Sequence, residues 1–333
     1  MDTKYHLIYR ELLQYINSSE LNERKLPPER ALASHYGVSR RTIRTSLDLL
    51  EKEGYISRIR GSGIYISEKY FSRRNKIALL LPDAENYTGP ERIAELKNAL
   101  SAYGYSLAVY ETHGHFSEER TILKELLSEH IRGVITIPFG SVLPTPNRDL
   151  YEALKNRRVQ ILFYQSAYRN MTDHPCVSRD DRSITFDLTR DHLSAHPDLT
   201  AFGIFFSDDQ SSLDRYCGFC EALTSLNLPY SDGNVLFLSS TDQNPDAIAS
   251  FLNKIPSSRE DGIYICHNDE IANRVHDLRR SYHDIIQSFD DSYLRRLSNY
   301  AFASYAPDKE QLAVRAARLI HSDILAATLP EFS

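Results

Sequence analysis

Apolar residues recur along this chain in two rhythms. Up to about residue 66 the spacing is helical: Tyr5, Ile8, Leu12, Tyr15 and Ile16 fall on one stripe, and Ile43, Leu47 and Leu50 on another. Beyond residue 75 short, nearly continuous apolar runs appear at 77–81, 106–110, 134–137, 161–164, 202–206, 235–238, 263–266 and 285–289. Helical patterns lie between or after them, at 89–103, 117–130, 181–195, 210–226, 245–254, 268–280 and 307–326. Strands that are apolar throughout are those covered on both faces, as in parallel sheets. Alternating strands and helices then predict an α/β architecture, and about 250 residues of it fit two doubly wound lobes better than one. The polar stretch 67–75 (SEKYFSRRN) interrupts both rhythms and reads as a linker. The expected organisation is a small domain over 1–67, a linker over 68–75 and a larger domain over 76–333.

The stretch 26–66, LPPERALASHYGVSRRTIRTSLDLLEKEGYISRIRGSGIYI, carries the sharpest local signals. Pro28 suits the first position of a short helix running to about Tyr36. Ser39 stands where an N-cap belongs, and its hydroxyl can take an unpaired backbone N–H. Val38 and Ile43 are spaced for a hydrophobic staple, and Gly54 for a left-handed C-terminal cap. Arg40, Arg41, Thr42, Arg44 and Thr45 fall largely away from the apolar stripe. A hairpin follows, with Gly61-Ser62-Gly63 at its tip, where glycine lets the backbone turn tightly and approach a groove wall. Two helices, an Arg-bearing face and a Gly-flanked hairpin make a winged helix-turn-helix, a unit that works on DNA. Arg suits the task because its planar fork grips a guanine edge or a phosphate with two hydrogen bonds. A solvated Arg-rich helix explains the Arg face alone, but not four features in this order and spacing.

Charge sharpens the division. Residues 1–75 carry 14 Lys+Arg against 9 Asp+Glu, and the remainder 25 against 36, so a head of +5 is joined to a body of −11. A basic head on an acidic body fits a nucleic-acid reader attached to something kept off DNA. The N-terminus, MDTKYHLIYR, is polar, and no apolar run approaches the roughly 18 residues of a membrane span. A cytoplasmic protein with no membrane partner is the expectation. Four cysteines give no disulfide framework. Cys217 and Cys220 form a C-x-x-C inside a helical pattern, read as buried helix residues, and His113-Gly114-His115 reads as a surface loop. No metal or cofactor is expected.

Residues 26–66 resemble the N-terminal domain of the GntR family of bacterial transcription regulators throughout. The resemblance implies DNA contacts from Arg30, Arg40, Arg44 and the wing pair Arg60-Gly61, with Thr42 on a phosphate; Arg41, less regular in that pattern, is kept as a further phosphate contact.

In doubly wound sheets a ligand sits outside the carboxyl ends of the strands. The residues there are 83–87, Pro138-Phe139, Gln165, Ser207-Asp208-Asp209, His267-Asn268-Asp269 and Asp290-Asp291, with the rings of Tyr87, Phe139, Tyr164 and Tyr168 nearby. Amides and carboxylates beside stacking rings suit a sugar-like ligand, although strand ends are also polar simply because they meet water and helix caps. Three stretches then resemble the LacI/GalR effector domain, which has the type I periplasmic-binding-protein fold: RYCGFCEAL (215–223), CHNDEIANRV (266–275) and IIQSFDDSYL (285–294). That resemblance implies effector contacts from Arg215, Asn268 and Asp290 and from Gln165, at a strand-end position that often contacts ligand in that family, with Tyr87 added from the first lobe. Ser288 departs from the usual Gly before F-D-D, and little chain remains after the last helix for a closing strand. The combined layout is similar to that of the arabinose repressors of Gram-positive bacteria.

These readings converge on a homodimeric, ligand-controlled transcription regulator. It would bind near-palindromic double-stranded operator DNA and answer to a small sugar-like effector between the lobes, as a repressor on family grounds. Asp290→Ala and Arg215→Ala are expected to keep operator binding and lose the effector response. The rivals are a cytoplasmic sugar-binding sensor and an enzyme acting on a sugar or nucleoside. A pyridoxal phosphate enzyme needs a Schiff-base Lys, and the strand ends carry none. Asp290-Asp291 make a poor glycosidase pair, because neighbours on one strand end point to different sides.

Overall fold

A computed structural model of the chain describes residues 4–18, 25–68, 70, 75–240, 245–255, 261–293, 295, 302–306 and 309–328. The head consists of α1 (Lys4–Ser18), β1 (Lys25–Leu26), α2 (Glu29–His35), α3 (Arg40–Lys52), β2 (Ile56–Ile59) and β3 (Gly63–Ile66). The local signals act as expected on α3. Ser39 Oγ accepts from the Thr42 amide at 3.2 Å, and Gly54 follows the helix at φ +81°. Ile43, Leu47 and Leu50 meet Ile8, Leu12 and Ile16 of α1 and Ile56, Ile64 and Ile66 of the wing in one core, with Val38 packed against it. Ser46 is buried and donates to the Tyr5 carbonyl at 2.8 Å, which fixes α1 across α3. Tyr15 departs from the expected stripe. Ile8, Leu12 and Ile16 already fill the core side of α1, and Tyr15 instead rims a groove with Pro27 and Tyr36. β1 was not foreseen. It pairs antiparallel with β3, making a three-stranded sheet of order β1-β3-β2.

The body holds two parallel five-stranded sheets. The first contains β4 (Lys76–Leu81), β5 (Ser106–Glu111), β6 (Gly133–Thr136), β7 (Gln160–Tyr164) and β8 (Cys176–Val177), with α4 (Gly89–Ser101), α5 (Phe116–Leu126) and α6 (Arg148–Asn156). The second follows α7 (Asp181–Ala195) and contains β9 (Thr200–Phe206), β10 (Val235–Leu238), β11 (Gly262–Cys266), β12 (Ile285–Ser288) and β13 (Ala303–Ser304), with α8 (Gln210–Ser225), α9 (Pro245–Asn253) and α10 (Asp269–Leu278). The strand orders are β5-β4-β6-β7-β8 and β10-β9-β11-β12-β13, the same winding twice. Each sheet is buried on both faces, as the uninterrupted apolar runs required.

The last helix, α11 (Lys309–Thr328), returns to the first lobe, where Leu312, Ala316, Ile320 and Ile324 pack on Leu79, Ile135 and Leu162. Among the described residues the chain therefore passes between the lobes in two places, just before α7 and just before α11. Three body elements escaped the sequence pattern. β8 and β13 have two residues each, too few for any period, and α6 follows a loop broken by Pro144 and Pro146.

Candidate DNA-contact face and interlobe cavity

The head carries exposed arginines on both helices of the pair and on the wing. Arg40, Arg41 and Arg44 of α3, Arg30 of α2 and Arg60 with Gly61 at the wing tip are all exposed. Gly61 has φ +78°, a left-handed turn that suits a residue without a Cβ. Thr42 is half-buried, and its hydroxyl lies 2.9 Å from Ser39 Oγ as part of the helix cap. Arg44 is oriented by Glu29, with Nη2–Oε2 at 2.9 Å and Nε–Oε1 at 3.4 Å. Arg58 is committed elsewhere. It pairs with Asp48 at 2.6 Å and Glu51 at 3.0 Å, tying the wing to α3. Sequence reading missed Lys25. β1 carries it to the wing, with Nζ 5.6 Å from the centre of the Tyr65 ring, and a two-residue strand leaves no pattern to find it by.

A cavity of about 510 Å³ lies between the lobes. The first lobe lines it with Pro82, Asp83 and Asn86 after β4, Arg92 of α4, His113-Gly114 after β5, and residues 138–140 after β6. The second lobe contributes Phe206, Asp209, Ser240 and His267, at or just beyond the ends of β9, β10 and β11. In both sheets this is where the strand order reverses, the place where doubly wound folds bind ligands. Asp83, Pro138, Phe139, Asp209 and His267 were among the strand-end residues read from sequence. His113-Gly114 forms a turn as expected, yet it belongs to this wall.

None of the five residues carried over as effector contacts lines the cavity, and each has a definite place. Tyr87 donates to Asp290 Oδ2 at 2.6 Å and so joins the first lobe to the second. Burial and the Asp290 charge hold the Tyr87 phenol well above its usual pKa, so it stays a donor. Asp290 is positioned from behind. Asp269 is fully buried and accepts from Ser304 Oγ, Ser292 Oγ and the Ser292 amide, each at 2.7 Å, and also from Ser288 Oγ. Ser288 thus helps anchor the loop at the departure from Gly.

Arg215 is a strut behind the wall. Its Nε and Nη2 donate to Asp181 Oδ1 at 3.1 and 3.0 Å, Nη1 reaches the His267 carbonyl and ring Nδ1, and Cζ sits 4.5 Å over the Phe289 ring. Asn268 caps α10, its Oδ1 accepting from the Ile271 amide at 2.9 Å. Gln165 follows β7 at φ +76°, and its backbone N–H donates to the Val177 carbonyl at 2.8 Å. Tyr164 and Tyr168 are core residues of the first lobe, and Tyr168 donates to the buried Glu119.

His267 takes its character from these neighbours. Burial, then the charges of Arg215 and Arg179, push its pKa well below the ordinary imidazole value, so the ring is neutral. The cysteine pair lies on α8 as expected but is not buried. Gly218, Phe219 and Ala222 face inward, leaving Cys217 exposed and Cys220 half-buried. Glu152, Asp173 and His174 lie close enough to share a cation, but the Arg148 guanidinium already pairs with both carboxylates, at 3.3 and 2.8 Å. Among the described residues no helix is long and apolar enough to cross a membrane.

Comparison with known proteins adds to both sites. Residues 4–66 match the family described as bacterial regulatory proteins, gntR family. The arabinose metabolism transcriptional repressor of Geobacillus stearothermophilus is 27% identical over 329 residues, covering 95% of this chain and 90% of that protein. Among solved structures, the transcription regulator CcpA of Lactococcus lactis superposes with a TM-score of 0.65 at 18% identity, over 76% of this chain and 92% of its own. The CelR–cellobiose complex gives 0.65 at 16% identity, over 90% and 94%. These two likenesses establish the LacI-type, periplasmic-binding-protein-like fold of the body.

Proposed function

We propose that this GntR-type regulator, whose body has the LacI/GalR-type fold, is a repressor that releases its operator when a small sugar-like effector closes the interlobe cavity. The observation that carries the reading is the coincidence of two features in one chain: an exposed Arg face on a capped helix, and a cavity at the strand-order reversal of both lobes. The relative named an arabinose metabolism repressor, and the neighbour solved with cellobiose, support regulation by a sugar. Arg40 and Arg44 read base edges in the major groove, Arg30, Arg41 and Thr42 hold phosphates, and Arg60-Gly61 enters the minor groove. Lys25 adds a phosphate contact beside the wing. Two copies bind the two halves of a near-palindromic site, since two-fold protein symmetry is mirrored in the DNA. The protein performs no catalysis and works in the cytoplasm.

Control follows from the lobes. A ligand shifts the protein only as far as it prefers one arrangement over the other, and couplings of about 1–3 kcal/mol, or roughly 5–150-fold in affinity, are typical. The Tyr87–Asp290 bond is one contact that lobe movement makes or breaks. Sequences selected from a random duplex pool give an operator on which binding is measured with and without pentoses and hexoses. Arg40→Ala should lose about 1–3 kcal/mol on the selected site and much less on random DNA. Tyr87→Phe should change the concentration of sugar needed for release. Equal loss of Arg40→Ala on both DNAs, together with no release by any sugar, overturns the proposal.

A further inference from the structure

Charge is unevenly available on the cavity wall. Both carboxylates there are already engaged. Asp83 Oδ1 accepts from the amides of Glu85 and Asn86 at 2.9 and 3.1 Å, and Asp209 Oδ1 accepts from the Ser212 amide at 2.8 Å as the cap of α8. Arg92 differs from both. Its guanidinium donates to Thr88 Oγ1 at 3.1 Å and makes no ion pair with a carboxylate among the described residues. Arg120, Arg148, Arg182, Arg190 and Arg279 of the same body each hold a carboxylate.

A guanidinium has five N–H donors in a planar fork, so most of Arg92's capacity faces the cavity unused. It also stands in the first turns of α4, where the aligned peptide dipoles add positive potential. Closing two lobes over an unpaired cation is unfavourable unless an opposite charge arrives with the ligand. His267 cannot be that charge, since an imidazole is neutral or cationic and never anionic, and Asp83 and Asp209 are occupied with their own loops.

We propose that the cavity takes an anionic sugar derivative, with Arg92 forking onto its oxyanion while Asp83, Asp209 and Asn86 receive its hydroxyls. This rests on the effector reading above and narrows it. A phosphate monoester and a sugar carboxylate offer the same paired oxygens to the fork, and both are geometrically suited to bidentate arginine.

The test is calorimetric titration of the full-length protein with a set of pentoses and hexoses, each as the neutral sugar, its phosphate monoester and its sugar acid. One anionic form should bind roughly tenfold or more tighter than its neutral parent. Preference for the ester identifies phosphate as the recognised group, and preference for the acid identifies carboxylate. Arg92→Gln should abolish the preference and Arg92→Lys should keep part of it, each checked for cooperative melting. A neutral sugar that binds as tightly as its anionic forms overturns this inference and leaves the effector reading standing. So does a preference that survives intact in Arg92→Gln and, should that variant not fold, one that is unaltered in Arg92→Lys. Silence from every neutral and anionic sugar overturns both.

Discussion

Two arginines placed against carboxylates show how differently the head and the body use charge. Arg58 in the wing reaches Asp48 and Glu51 with its side chain 30% exposed. Arg215 in the second lobe reaches Asp181 with 2% exposed, and its partner is nearly as deep. In water the ions of the first group lose little when parted, whereas in the interior each ion depends on the other for its solvation. The head can therefore spread cations over its surface for a polyanion to find. In the body the deepest arginines, Arg215 and Arg279, each have a carboxylate, whereas Arg92 on the cavity wall has none among the described residues.

The largest test of this contrast is Arg215→Ala. It leaves buried Asp181 with Arg179 alone, at 3.3 Å, and removes the brace behind His267, so it should destabilise the body by up to about 3–5 kcal/mol, read from denaturant unfolding. The sequence alone suggested that this variant would keep its operator and lose only the effector response. Its place as a strut behind His267 replaces that expectation with a folding defect, and unfolding at wild-type denaturant concentration would restore the earlier one. A smaller effect is expected from acid. His267 is neutral in the fold because its pKa is depressed, while the unfolded ring titrates near 6.5. The unfolded state then binds the extra proton, so this histidine's contribution is complete above pH 6.5 and is lost as pH falls below it. The loss approaches about 1.4 kcal/mol per unit until the native pKa is reached. His267→Asn keeps an acceptor for Arg215 and should flatten that acid limb, and an unchanged slope would contradict the assignment. The smallest effect is Arg58→Ala, at under about 1 kcal/mol in the melting of the head. A loss as large as that of Arg215→Ala would dissolve the distinction.

What could be read in advance follows the same division. α3 was legible because its causes are local: the Ser39 cap, the Ile43/Leu47/Leu50 stripe and Gly54 lie within sixteen residues. The parallel lobes were legible because strands buried on both faces must be apolar throughout. The site was legible only by position. Strand ends near Asp83, Phe139, Asp209 and His267 follow from topology, but the direction of a side chain does not. Arg215 and Asp181 are far apart in sequence, and nothing local announces that they neutralise one another. Asn268 was expected to meet the ligand through the resemblance of 266–275, and nothing in that stretch shows that its side chain would cap the next helix instead. Arg92 was passed over because it lies one turn inside α4, beyond the loop where strand-end reasoning stops.

The return of α11 to the first lobe sets an order of assembly. The second lobe is one uninterrupted stretch of chain, so its core can close as soon as that stretch leaves the ribosome. The first lobe is begun earlier and finished last, since one face of its sheet, packed partly by Leu96 and Leu100 of α4, stays incompletely covered until α11 has been made. During synthesis the half-built lobe nearest the head is thus the part most in need of protection, and damage at the carboxyl end of the chain is felt in the lobe that starts at residue 76.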